Sequence, residues 1–235
     1  MISENVDIVL NRIRRAEKQF NRSKDAVKLL AVSKKCSIEQ IIAGHEAGLQ
    51  DYGESYLQEA QVKITALAQY PMKWHFIGPV QSNKTKGISA CFDWVHSIDR
   101  LIIAQRLNEQ RPVDLKPLNV CIQVNVSNER TKSGILLEAL PDLVAAVSQL
   151  SALRLRGLMT IPAPSTDFDA QRIPYRRLYE AFQALRDAGY NLDTLSMGMS
   201  KDLEAAISEG ATMVRLGSRL FGERARWAVS SSGKI

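Results

Sequence analysis

The sequence predicts an α/β fold, a parallel (β/α)8 barrel of the TIM type, formed as a single domain over residues 1–235. Three observations predict it. Eight short apolar runs alternate with segments of helical periodicity. Successive runs start roughly 20 to 40 residues apart, the spacing that βα units require. No linker, internal repeat or shift in composition divides the alternation. Eight such units in a chain of about 250 residues close into a barrel. An open doubly wound sheet is the alternative architecture. Its glycine signature is missing, with no GxGxxG after the first strand and no GxxxxGK[ST] anywhere.

The first helix is marked by Val6, Val9, Leu10, Ile13, Ala16 and Phe20 at helical spacing, with Ser3 as expected N-cap. Leu29 to Val32 then form the first strand, ending at Lys34. Ile38, Ile41 and Ile42 begin a second helix, which Gly48 ends. Asp51 to Gly53 is a short strand, and residues 54–68 return to helix. Trp74 to Ile77 is a strand stopped by Gly78 and Pro79, and a polar helix follows from Ser82. A strand lies within Phe92 to Ile98, and Asp99 is expected to cap the helix from Arg100 to Asn108. Val120 to Val126 is apolar on both faces, as a strand of a covered parallel sheet should be. A polar loop, Ser127 to Gly134, leads to a helix with Pro141 near its start. Leu155 to Ile161 is the sixth strand and Pro162 to Asp169 a loop. Tyr175, Leu178, Tyr179, Phe182 and Leu185 mark a helix ended by Gly189. Thr194 to Met197 is a strand, Asp202 to Ser208 a helix and Thr212 to Leu216 the last strand, before a short basic tail.

The composition narrows the function classes. An apolar fraction of 45% and a charged fraction of 24% are those of an ordinary soluble globular protein. No apolar run approaches the length that spans a bilayer, and the first helix carries acids rather than a signal core. A cytoplasmic protein without a membrane partner is therefore expected. Cys36, Cys91 and Cys121 are widely spaced and odd in number, which fits reduced thiols and neither a metal nor a disulfide framework. The net charge of +6 favours anionic ligands. The basic residues are scattered and aromatics make up only 6%, so no nucleic-acid partner is expected.

A barrel of this kind works at the C-terminal ends of its strands. Side chains alternate along a strand, so Leu30, Val32 and Lys34 share one face. If that face is inward, Lys34 stands at the mouth, partly desolvated, where its amine suits a Schiff base with an aldehyde. Otherwise it is a lysine that ends a strand and reaches water. The other strand ends offer Gly53 with Glu54, His75 with Gly78, Ser97, Asn125, Met159 with Thr160, Gly198 with Ser200, and Arg215 with Gly217 and Ser218. His75 reads either as a site residue or as a satisfied core histidine, Asn125 as a site residue or a loop-binding amide, and Met159 as a site residue or core packing. The loops after strands seven and eight could bind phosphate through N–H groups, a helix start and serine hydroxyls, or simply turn. Arg215 shares a face with Met213. If inward, its guanidinium needs an acceptor, met by a ring nitrogen, a phosphate, or a carboxylate such as Glu54. Inward lysine, phosphate cup and inward arginine on one rim are what pyridoxal phosphate requires.

The chain closely resembles the pyridoxal phosphate homeostasis proteins, barrels similar to the N-terminal domain of alanine racemase. The likeness covers almost the whole length. It rests on Leu30-Ala31-Val32-Ser33-Lys34, Gly53-Glu54-Ser55-Tyr56, Trp74-His75-Phe76-Ile77-Gly78-Pro79, Lys132-Ser133-Gly134, Arg156-Gly157-Leu158-Met159-Thr160, Ser196-Met197-Gly198-Met199-Ser200 and Val214-Arg215-Leu216-Gly217-Ser218. The family usually has Asn at Ser55 and Thr at Ser218. The resemblance implies that Lys34 carries the aldimine, that Ser200, Gly217 and Ser218 hold the phosphate, and that Arg215 faces the ring nitrogen.

A guanidinium does not give up its proton near neutral pH, so a ring nitrogen bonded to it stays unprotonated and the ring withdraws electrons poorly. Racemases with this ring partner recruit a second base, often from an added domain, and the chain ends soon after the eighth strand. The expected function is therefore a carrier or buffer of the cofactor, monomeric, handing it to apo-enzymes, rather than an enzyme. The alternatives are a racemase-like enzyme using Tyr56 or His75 as base, a cofactor-free lysine aldolase, and a nucleic-acid binder.

Overall fold

The structure, a computed structural model, describes residues 1–129 and 132–222. The basic tail predicted at the C-terminus lies outside the described residues. Eight parallel strands close in sequence order: β1 (Lys28–Val32), β2 (Asp51–Glu54), β3 (Lys73–Phe76), β4 (Trp94–Ile98), β5 (Leu118–Gln123), β6 (Leu153–Met159), β7 (Thr194–Ser196) and β8 (Met213–Leu216). Closure comes from β8 pairing with β1, from Lys28 beside Met213 to Ala31 beside Leu216. The closed barrel leaves no strand edge.

The intervening helices are α1 (Ile2–Gln19), α2 (Ile38–Glu46), α3 (Leu57–Ala66), α4 (Thr85–Cys91), α5 (Leu101–Glu109), α6 (Leu140–Ser148), α7 (Phe168–Asp187), α8 (Leu203–Ser208) and α9 (Ser218–Phe221). The main core lies between sheet and helices, where Ala31, Tyr52, Val95, Val120, Leu158, Leu195 and Val214 meet Ile13, Ile41, Ile103 and Leu178. A smaller apolar cluster, Trp94, Cys121 and Met159, fills the barrel interior. The two clusters come from alternate residues of the same strands, as the period of two requires.

Several element ends differ from the sequence reading. α1 is capped at Met1 and not at Ser3. α5 has Arg100 at its N-cap with no side-chain bond from Asp99. β5 and β6 each begin two residues earlier than read and end earlier, at Gln123 and Met159. The apolar residues beyond them, Val124, Val126 and Ile161, belong to loops. α7 starts at Phe168, inside the expected loop, because Asp167 accepts from the Ala170 N–H at 2.7 Å and caps it. Pro174 sits within this helix.

Gly157 is fixed by a close approach: a Cβ there would lie 1.8 Å from the Thr194 carbonyl oxygen on β7. Only glycine lets β6 and β7 pair at that point.

Candidate functional site

Lys34 follows β1 on the face of Leu30 and Val32. Leu29 and Ala31 take the helix side. Ser33, on that other side, faces α3, and this divides two lysines. Lys63 of α3 rises to the end of β1, where its Nζ donates to the Ser33 carbonyl at 2.7 Å, to Glu54 Oε1 at 2.8 Å and to Glu59 at 2.5 Å. Ser33 Oγ donates to the same Glu54 oxygen at 2.7 Å, and the Lys35 N–H donates to Glu59. Lys63 is 0% exposed. Burial pushes the Glu54 carboxyl above its ordinary range, against the pull of Lys63. This cluster fixes the turn that presents Lys34, whose partner Lys35 sits at φ +64°.

Lys34 is half-buried and opens on a cavity of about 500 Å3 at the C-terminal mouth. Arg215, Ser200, Gly217 and Ser218 line the same cavity, with Val32, Ile77, Ile161 and Met199 as apolar walls. Five sequence-predicted site residues from β1, β8 and the loops after β7 and β8 therefore meet in one place. Lys132 and Asp202 also line it and were not singled out as site residues.

Arg215 is 4% exposed. Its Nη1 donates to the Ser196 carbonyl at 2.6 Å and to Ser196 Oγ at 2.9 Å, and its Nη2 to the Thr160 carbonyl at 2.9 Å. Among the described residues it forms no ion pair: Glu54, the carboxylate considered for it, lies on the helix side of β2 with Lys63. Burial lowers the Arg215 pKa from its ordinary value. A buried guanidinium with three neutral acceptors has unused donor capacity.

The loop after β7 is built firmly. Gly198 takes φ +95°, and a Cβ there would lie 2.5 Å from that of Ala206. The Met199 N–H donates to Asp202 at 2.6 Å. The Ser200 carbonyl accepts from Arg12 of α1 at 2.9 Å, and Arg12 holds Glu204 by two bonds of 2.6 Å. With six and four residues, α8 and α9 are too short for the helix-start contribution expected from sequence. The donors for an anion here are hydroxyls and turn N–H groups.

Three predicted site residues lie elsewhere. Met159 is fully buried beside Trp94 and Cys121 inside the barrel. Asn125 closes its own loop: Nδ2 donates to the carbonyls of Glu129 at 2.8 Å and Lys132 at 3.3 Å, and Oδ1 accepts from the Glu129 N–H. His75 points inward one layer below the mouth, where Ile77 of the same face takes the lining position. Its Nε2 bonds Asp51 and its Nδ1 bonds His96, each at 2.9 Å. Neither His75 nor the exposed Tyr56 lines the cavity, so neither candidate second base stands there.

No group of three or more His, Cys, Asp or Glu among the described residues could hold a metal ion. No described helix is long and apolar enough to cross a membrane. The donor set fits pyridoxal phosphate: an amine, a buried guanidinium lacking a carboxylate, and two hydroxyls around a cavity large enough for one small molecule.

Comparison with known proteins gives the family. Residues 5–225 match the family model for the alanine racemase N-terminal domain. The pyridoxal phosphate homeostasis protein of Pseudomonas aeruginosa is 57% identical over 223 residues, covering 95% of this chain and 96% of that protein. The protein of the same name from Escherichia coli K12 is 48% identical over 226 residues, covering 95% and 97%. The structure of PipY from Synechococcus elongatus with pyridoxal phosphate bound superposes with a TM-score of 0.81 at 29% identity, covering 94% of this chain and all of that one. With that mouth, that barrel and those relatives, the chain belongs to the pyridoxal phosphate homeostasis protein family.

Proposed function

We propose that this chain binds pyridoxal 5'-phosphate at the barrel mouth, holds it through an imine on Lys34, and works in the cytoplasm as a carrier or buffer of the cofactor rather than by turnover. The observation that carries the reading is Arg215: a buried guanidinium without a carboxylate partner among the described residues, opening on the cavity that Lys34 lines. When bound, the cofactor supplies an aldehyde that an amine captures and a ring that withdraws electrons. Lys34 provides the amine. Arg215 provides a donor toward the ring nitrogen and keeps its own proton. Ser200 and Ser218, with the N–H groups around Gly217, hold the phosphate.

The placement of the two candidate bases supports a role without turnover. A proton-moving partner for Lys34 must sit within reach of the same substrate carbon, and Tyr56 and His75 are elsewhere. Lys34 is half-buried at the rim of the mouth, where a free amine or an apo-enzyme can take the cofactor from it. We read the chain as one barrel domain acting as a monomer.

The test is a transfer assay. The loaded protein is mixed with an apo-enzyme that needs the cofactor, and separately with chiral amino acids. Recovery of the acceptor's activity, with no loss of optical rotation in the amino acids, is expected. Racemisation lost in Tyr56→Phe or His75→Ala would overturn the carrier reading in favour of an enzyme.

A further inference from the structure

The barrel interior holds a polar chain that the proposed function has not used. Asp51, the first residue of β2, accepts or shares a proton with His75 Nε2 at 2.9 Å. His75 Nδ1 meets His96 Nε2 at 2.9 Å, and His96 Nδ1 meets Ser196 Oγ at 2.8 Å. Ser196 Oγ accepts from Arg215 Nη1 at 2.9 Å. The chain runs from the N-terminal end of the barrel to the mouth and crosses the interior between β4 and β7, which are not neighbours in the sheet.

With both imidazoles neutral, the form that their burial favours, its ends settle its direction. Arg215 can only donate, and an ionised Asp51 can only accept. Burial pushes the Asp51 carboxyl up, but the bond from His75 and the nearby positive charges outweigh it and keep the group below its ordinary range. His75 Nε2 must then carry its proton, which leaves Nδ1 bare to accept. His96 Nε2 must carry its proton and its Nδ1 is bare in turn. The Ser196 hydroxyl donates to His96 and keeps its other lone pairs for Arg215. Every donor then points away from the mouth.

We propose that Asp51, His75, His96 and Ser196 are positioning residues that fix the guanidinium of Arg215 toward the mouth cavity from the opposite end of the barrel. The inference rests on the reading that Arg215 faces the cofactor ring. No carboxylate pairs directly with Arg215 among the described residues: Asp202 acts on it only through space, and the carboxylate that ends this chain stands four hydrogen bonds away. Arg215 is thus oriented without being neutralised, and its remaining donors stay available at the mouth. His75 takes its part here rather than as a cofactor ligand.

The first test needs no cofactor. The chain has three histidines, His45, His75 and His96, so their imidazole nitrogens can be separated by 15N NMR. At neutral pH in the cofactor-free protein, His75 and His96 should both be neutral with the proton on Nε2. A proton on Nδ1 of either ring, or a charged ring, overturns the relay. The second test uses the loaded protein. Glutamine at 96 presents an N–H donor and an oxygen acceptor across one carbon, as imidazole does, whereas leucine fills the space and breaks the chain. His96→Leu should weaken cofactor binding about tenfold, the scale of a hydrogen bond to a charged group, and shift the absorption band of the bound cofactor. His96→Gln should restore both to within about threefold of wild type. Equal behaviour of the two variants overturns the proposal. Should His96→Leu fail to fold, Ser196→Ala is measured instead, with the same expected weakening and the same consequence if binding is unchanged. A wild type that binds no cofactor defeats the reading of the mouth, while the tautomers still decide the relay.

Discussion

The two ends of the barrel interior are both built from inward-facing residues, the lower from β3 to β6 and the upper from the ends of β1 and β8 and the loop after β7, yet they do opposite things. At the lower end, His75 stacks on Trp94 with ring centroids 5.3 Å apart, and the Arg156 guanidinium lies 4.8 Å over the other aromatic ring system of that pair, Trp94, while holding Asp193. Cys121 and Met159 complete the filling. Polar groups there are paired with each other. At the upper end, Lys34, Arg215, Ser200 and Ser218 surround about 500 Å3 of space. Depth along the barrel axis, and not inward orientation alone, decides which side chains reach the cavity. His75 faces inward too, and stands one layer below the residues that line the cavity.

The same contrast holds for two lysines beside each other at β1. Lys63 is fully buried between Glu54 and Glu59, and Lys34 lines the cavity. Lys63→Met should therefore be the most damaging change, because it leaves two buried carboxylates without their cation, at a cost of about 3–5 kcal/mol. Chemical denaturation checks it. Loss below about 1 kcal/mol would mean that the cluster does not hold the Lys34 turn.

The lower end should carry an acid sensitivity through its buried histidines. Burial holds His96 well below its ordinary value of 6.5, and His75 lower too, although Asp51 pulls His75 the other way. Below pH 6.5 the unfolded chain takes up protons that the folded chain refuses. Stability is then complete above that pH and falls as the pH drops from there toward the folded-state values. Each such imidazole contributes a slope of about 1.4 kcal/mol per pH unit. Thermal unfolding of wild type and His96→Gln at pH 7 and pH 5 should show the variant losing less on acidification. Equal losses would remove His96 as the source.

The smallest effect is expected at Asn125, a residue that sequence reading put at the site and the structure puts in a loop. Asn125→Ala removes three bonds to that loop and should cost about 1 kcal/mol. Cofactor affinity should stay within about twofold, as a titration followed by absorbance would show. A tenfold loss would place the amide back at the site.

What was legible in the sequence follows the period of two. Alternation put Leu30, Val32 and Lys34 on one face, and Met213 with Arg215, and the interior is divided from the outer core along those lines. Alternation carries no depth. His75 and Ile77 share a face, and only the stagger of the closed sheet lets Ile77 reach the cavity while His75 stops beneath it. The ends of β5 and β6 were read late because the apolar run continues past the last strand residue into buried loops. Lys63 lies 30 residues from Ser33 on a helix, and nothing in local pattern ties the two. In the sequence Ser196 reads as a strand residue and part of a family motif, and its place between the core residues Leu195 and Met197 puts it on the inner face.

The central claim is that the mouth captures pyridoxal phosphate on Lys34. It is tested most directly by adding the cofactor to wild type and to Lys34→Ala, recording the absorbance, reducing with borohydride and mapping the modified residue by mass. Wild type should turn yellow with the adduct on Lys34, and the variant should fold normally and form none. A wild type that stays colourless with added cofactor, or an adduct that falls on Lys63 or Lys132 instead, would contradict it.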